Sequence, residues 1–393
     1  MSHPVSPEPT GKARRRRGPA NSQALSGWLF VSPVILILGL FLFIPILMAL
    51  WVSVSDWSGN GSPFDPSVNF VGAKNYEAIL GGKGLTGRDF GMAIRNNLYY
   101  VLFVVPLQTI VSLFLAVMVT RKGLKGKSVF RTAFYFPSVT SSVAITVLWL
   151  FLFNASGAVN KALSWLGIHG PNWFQDPRGV LGLLLEPLGV HETGALAKPG
   201  FLGISAYQWL QGPSVAMCAF ILMAIFTTSG TFMLLFIAAL QNIGEETDEA
   251  GMMDGATAWQ RFRHITLPML KPTLYTVITL GLIGTWQVFD QIVIGSQGGP
   301  AKTTMTPAYL SYTKAFNDNE WGRGAAIAFV LFAIIVLMTI LQRFILGDAD
   351  YTTLNRRQRK AEKLDRERAA RREVDLVTHG GANSQTASGG GVA

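Results

Sequence analysis

The stretch EETDEAGMMDGATAWQRFRHITLPML, Glu245 to Leu270, separates two long apolar runs of a 393-residue chain. Five acids (Glu245, Glu246, Asp248, Glu249 and Asp254) face Arg261, Arg263 and, just beyond, Lys271. Acids gathered in a first turn suit the positive end of a helix dipole, so a short helix is expected to begin here. Gly255 after Asp254 permits a bend or the close approach of another backbone. Trp259, Phe262 and Ile265 recur every three residues and predict a second helix whose apolar stripe lies against a bundle. Pro268 and Pro272 then reset the chain. The segment reads as an elbow between two buried runs that shows Ala250, Gly251 and Gly255 to a partner.

The composition says what the apolar runs are. Hydrophobic residues make up 49% of the chain, only 14% are charged, and the mean hydropathy is +0.33. A water-soluble domain of this size does not keep that balance. Crossing a hydrocarbon core of about 30 Å takes roughly 20 helical residues. Six runs suffice, near Trp28 to Val54, Asn97 to Thr120, Phe130 to Phe153, Ser214 to Leu240, Thr273 to Gly295 and Ala325 to Leu346. The expected fold is all-α and polytopic, with six transmembrane helices over 28–346. The first run is too long for a signal-peptide core and no small-residue cleavage pattern follows it, so it is read as an anchor.

Lys and Arg orient the spans. The N-terminal KARRRR and the RKGLKGKSVFR loop are strongly basic, while Asp56 to Arg95 and Asn154 to Pro213 are balanced. Both termini are therefore expected in the cytoplasm, in a plasma (inner) membrane. The elbow at 241–272 is then cytoplasmic, and an insertion at about 154–213 lies outside. The net charge of +10 marks orientation and attraction to anionic headgroups rather than nucleic-acid binding, since the basic flanks carry no interleaved aromatics. Residues 1–27 read as a disordered basic flank. Residues 347–393 read as a charged helix (Asn355 to Asp375) and a flexible tail.

Within the insertion, PNWFQDP is a compact turn whose Trp173 and Phe174 suit the headgroup level. The apolar run that follows, broken by Glu186 and Pro187, is either an interfacial segment or a loop packed on the outer helix ends. The second connection holds NFVGAKNYEAIL, which suggests a short surface helix.

Catalytic signatures are missing. GLKGKS fails as a phosphate loop because Arg121 stands where Gly is required. The five histidines show no i,i+4 pair, no Cys/His cluster exists, and no Gly-x-Ser-x-Gly elbow occurs. Cys218, the only cysteine, cannot form an intramolecular disulfide and reads as packing. No enzyme, cofactor or metal is expected on this chain.

Glu249-Ala250-Gly251, three residues, Gly255, nine residues, Ile265, one residue, Leu267-Pro268 resembles the EAA loop of ABC-importer permeases. Gly251 replaces the second Ala, and Gly244 stands where relatives often have Pro. NFVGAKNYEAIL, FRTAFYFPSV and WQVFDQIVIGSQGGP are similar to segments of carbohydrate permeases of the maltose type. The resemblance implies a subunit that pairs with a second permease. It also implies a binding protein that delivers cargo from outside, and a separate ATPase dimer that holds ATP and Mg. Glu249 and Asp254 are then charged contacts to the ATPase, Ala250, Gly251 and Gly255 permit close docking, and Ile265, Leu267 and Pro268 complete the motif.

For the path of the cargo, Gln287, Asp290 and Gln291 are spaced i, i+3, i+4 and are expected on one face of the fifth helix, with Trp286 adjacent as a flat apolar surface. That face serves either sugar contact or helix packing and gating. Thr227 and Thr228 are weaker candidates, because such hydroxyls bond back to their own helix. Three other functions fit parts of the pattern. They are the same architecture carrying a polyol derivative such as glycerol phosphate, an ion-coupled secondary carrier, and a non-transporting scaffold.

Overall fold

A computed structural model describes residues 20–346 apart from 83, 122, 186, 188–193 and 199, together with 363 and 364. Residues 1–19 of the basic N-terminal flank, Glu186 and nearly all of the C-terminal tail lie outside the described residues, while residues 20–27, expected to be disordered, are helical. The described chain is helical, with two isolated β-bridges. It forms two compact units, one made by residues up to 90 with 310–329, the other by 91–309 with residues from 330 on.

Among the described residues, four helices are long and apolar enough to cross a membrane: α1 (Ser26–Ser53), α3 (Gly84–Thr120), α7 (Val215–Asn242) and α12 (Trp321–Leu346). Two further helix pairs are apolar enough together but bent, as in a broken span or a re-entrant loop. α4 (Lys127–Val139) and α5 (Ser142–Leu152) meet at 98°, and α9 (Ala258–Met269) and α10 (Lys271–Trp286) meet at 65°. By length and composition the spans number four, or up to six if each bent pair is one span. The third run is thus not the straight helix its hydropathy suggests. Thr140 turns to an extended backbone after Val139, and Ser141 starts the next helix. Irregular backbone at such depth is tolerated where protein buries it or it lines a wet cavity.

In the first unit, α2 (Lys74–Leu80) is the short helix expected in NFVGAKNYEAIL. Asn75 Nδ2 donates to the Ser53 and Ser55 carbonyls at 3.0 and 2.9 Å, and Ile79 is fully buried. That capping of the end of α1 explains why a surface helix needs Asn and Ile there.

In the second unit, Ala116 and Val119 of α3 pack with Phe232, Met233, Phe236 and Ile237 of α7 and with Leu270 and Val277 at the start of α10. The core therefore sits beside the elbow. On the far side of the same unit, the insertion is fastened to helix ends. Gly179 and Ser214 form a bridge, and Arg95 Nη2 donates to the Gly212 carbonyl at 2.8 Å. The described ends of this segment pack as a loop, and much of the run around Glu186 lies outside the described residues. The aromatic anchor expected at Trp173 and Phe174 is corrected too. Phe174 is buried edge-on against Phe153 and Phe220, and Trp173 Nε1 donates to Asn160 Oδ1 at 2.8 Å. Trp165, at the end of α6 (Ala158–Trp165), and Phe201 are aromatics left exposed.

Candidate functional site: the elbow and the cavity at the helix break

The elbow is two short helices, as its sequence suggests. After α8 (Glu245–Met253), Gly255 takes φ +76°, the Gly255 amide donates to Met252 O, and the Ala256 amide donates to Gly251 O, both at 3.0 Å. This pair of bonds is the Schellman closure, which a left-handed residue makes possible. Two residues on, Thr257 caps α9 in a reciprocal capping box: the Gln260 amide donates to Thr257 Oγ1 at 3.3 Å and the Thr257 amide to Gln260 Oε1 at 2.8 Å. The sequence DGATAWQ thus stops one helix and starts the next within four residues. Arg261 then pins the two arms, with Nε 2.8 Å from Asp248 Oδ1 and Nη1 donating to the Ala256 carbonyl at 2.9 Å.

Glu249, Ala250, Asp254 and Gly255 are exposed on this hairpin. Gly251 is not. It is buried, and a β-carbon there would stand 2.9 Å from Ile265 Cδ1 and 3.1 Å from Arg261 Cδ. Its smallness serves contact between the arms rather than a surface shown to a partner, which corrects the reading of Gly251. Ile265 and Leu267 are half-buried, and Pro268 is exposed. The stripe is also corrected at its first member. Trp259 is 65% exposed and stacks on Phe262, with ring centroids 5.7 Å apart. With Met253 at 90% exposure it gives the hairpin an apolar tip amid acids.

The six pathway candidates are not brought together. α10 ends at Trp286, Gln287 is its C-cap, and Asp290 opens a separate short helix, α11 (Asp290–Gly295). The break abolishes the i, i+3, i+4 face, because Gln287 and Asp290 are on different helices. Trp286 is 2% exposed and offers no open ring face, while Gln287 and Asp290 are exposed. Gln291, Thr227 and Thr228 do converge, on a cavity of about 290 Å³ beside the break between α4 and α5.

Sequence reasoning missed the rest of that cavity. Ser138, Thr140 and Ser142 reach it from the break, and Thr231 from α7. The run PSVTSS, hydroxyl-dense within an apolar stretch, was the available signal. Thr227 Oγ1 donates back to its own helix at 3.0 Å, as expected. Thr228 also crosses to Gln108 of α3, 2.7 Å away. Ser142 Oγ is buried with no hydrogen-bond partner. None of the residues lining the cavity is charged. Hydroxyls and an amide that both donate and accept suit a ligand rich in neutral hydroxyls.

Residues 108–347 match the family described as binding-protein-dependent transport system inner membrane component. A lactose transport system permease protein of Rhizobium radiobacter is 30% identical over 322 residues, 81% of this chain and 93% of that protein. An arabinooligosaccharides transport system permease protein of Halalkalibacterium halodurans is 27% identical over 330 residues, 83% and 89% of the two chains. A bacterial ABC transporter involved in import of the acidic polysaccharide alginate shares the fold, with a TM-score of 0.63 at 18% identity over 84% of this chain and 97% of that one. The helix-rich membrane architecture, the elbow and these matches agree: the chain belongs to the family of binding-protein-dependent transport system inner membrane components, the permeases of ABC transporters.

Proposed function

We propose that this chain is the membrane-spanning half of an ATP-driven importer that carries a neutral sugar, a di- or oligosaccharide. The uncharged, hydroxyl-lined cavity at the broken span carries this reading. A sugar exchanges its hydration for hydrogen bonds to such groups, whereas a phosphate ester would leave its charge unmatched there. That disfavours glycerol phosphate. Similarity to sugar permeases supports the same cargo class, and family membership disfavours an ion-coupled carrier.

In this reading a binding protein delivers the sugar on the insertion side, a second permease completes the channel, and both termini are cytoplasmic. ATP and Mg reside on a separate ATPase dimer. The elbow docks there through Glu249, Ala250, Asp254 and Gly255, with Met253 and Trp259 as its apolar tip. Gly251, Ile265, Leu267 and Pro268 hold the hairpin rigid, so movement of the ATPase reaches the helices as a lever rather than dissipating in a soft loop.

The test is purification of the tagged protein in mild detergent, identification of what accompanies it, and ATPase measurement with candidate sugars. A co-purifying ATPase whose turnover rises with a neutral sugar and its binding protein is expected. A chain that remains alone, with uptake that follows an ion gradient, would sink the proposal.

A further inference from the structure

A second cavity, of about 340 Å³, lies on the same two helices as the first. α5 supplies Ile145 to the inner cavity and Leu150 to the outer one, and α11 supplies Gln291 to the inner and Gly295 to the outer. Gly295, which lines the outer cavity, is packed closely against α7 and α5. A β-carbon at Gly295 would stand 2.7 Å from Phe220 Cζ and 3.2 Å from Thr146 Cγ2. The second cavity repeats the chemistry of the first. Asn154, Asn172, Gln175 and Ser296 offer neutral donors and acceptors, Phe153 and Phe174 offer apolar ring surface, and no lining residue is charged.

Two of the amides are aligned in advance, since Asn172 Nδ2 donates to Gln175 Oε1 at 3.0 Å. The rings are fixed as well. Phe153 stacks on Trp149 at 4.6 Å between centroids and meets Phe174 edge-on, and both phenylalanines are more than 90% buried. Neutral amides beside rigid apolar ring edges match the hydroxyl and C–H groups of a sugar, and rigid groups lose little entropy on binding.

We propose that this outer cavity is a second saccharide subsite, which holds one neutral sugar unit. The inference rests on the sugar-permease reading. It adds that cargo is bound on this chain before it reaches the hydroxyl-lined cavity.

The test uses thiol labelling of the assembled importer in detergent, without binding protein or ATP. Gln175→Cys, which lines the outer cavity, Thr231→Cys, which lines the inner one, and Ser164→Cys on exposed α6 are each made with Cys218→Ala. Labelling rates are measured with lactose, maltose and arabinotriose at millimolar concentration. With sugar at about twice its Kd two-thirds of sites are filled, so labelling of Gln175→Cys should slow about threefold, with Ser164→Cys unaffected. If a sugar that the same importer takes up leaves Gln175→Cys labelling unchanged, the outer subsite is excluded. Thr231→Cys reports separately on the inner cavity. Protection there without protection at Gln175→Cys would overturn this inference alone, and transport of a sugar that protects neither would count against both readings.

Discussion

The side-chain carbonyl of Gln108 accepts the Thr228 hydroxyl at 2.7 Å, joining α3 to α7 deep within the unit. Gln108 is fully buried, and the Ala224 carbonyl, also 2.7 Å from the hydroxyl, competes for its proton. Thr228 is thus both a wall of the inner cavity and a helix tie. Thr228→Val should lower stability by about 1–2 kcal/mol, because a buried amide loses a partner. Adding Gln108→Leu should recover part of that loss. Thermal denaturation of the four proteins in detergent checks it, and strictly additive losses would show that the bond does not couple the helices.

Ser142 gives the opposite pattern. Its Oγ is buried and unpartnered, so Ser142→Ala removes a polar atom that no hydrogen bond repays in the free protein. Stability should hold or rise slightly, while sugar uptake falls, about three- to tenfold for one lost hydrogen bond of roughly 1 kcal/mol. Uptake kinetics beside a melting curve separate the two effects. Unchanged uptake would remove Ser142 from the path.

The elbow is set by the backbone of Gly255, at φ +76°, with open space around it. Gly255→Val therefore suffers strain rather than a clash, on the order of 1–2 kcal/mol for a residue in the left-handed region. Insertion should survive, and sugar-stimulated ATP hydrolysis should be lost. Gly251→Leu should fail for a different reason, since its side chain meets Ile265 and Arg261 and prises the two arms apart. Limited proteolysis near Asp254 should then speed up for Gly251→Leu.

Acid should act on the insertion through Asp176. Its hydrogen bonds from Arg178, the side-chain one first, hold the carboxyl below its ordinary 3.8. A lowered folded-state pKa adds stability that is present above the unfolded value and lost as pH falls through the folded one. Stability of the insertion should therefore be flat near neutral pH and fall only below about pH 4. Arg178→Ala should lower stability near neutral pH and flatten that acid limb, because the carboxyl then has no depressed pKa left to lose, as followed by proteolysis of the insertion across a pH series. An unmoved acid limb would mean that another group controls it.

Much of the fold was legible because its signals are local. Hydropathy located the apolar runs, and the clustered acids, Gly255 and the stripe from Trp259 to Ile265 pointed to two short helices, whereas the capping box of Thr257 and Gln260 went unread. The corrections arose where periodicity was extended through a break. Gln287, Asp290 and Gln291 keep helical spacing on paper, but the helix ends at Trp286 and the face dissolves.

The sequence alone determined that this is a membrane protein with an elbow between buried runs, since burial of apolar length and turn chemistry depend on neighbours a few residues away. Tertiary structure alone decided that Gly251 faces inward, that Trp173 and Phe174 pack inside the insertion, and that Thr228 meets Gln108. It also decided that two uncharged cavities share α5 and α11. Those facts depend on which helix crosses which and at what angle, and a 98° bend at Thr140 leaves no periodic trace in the residues that flank it.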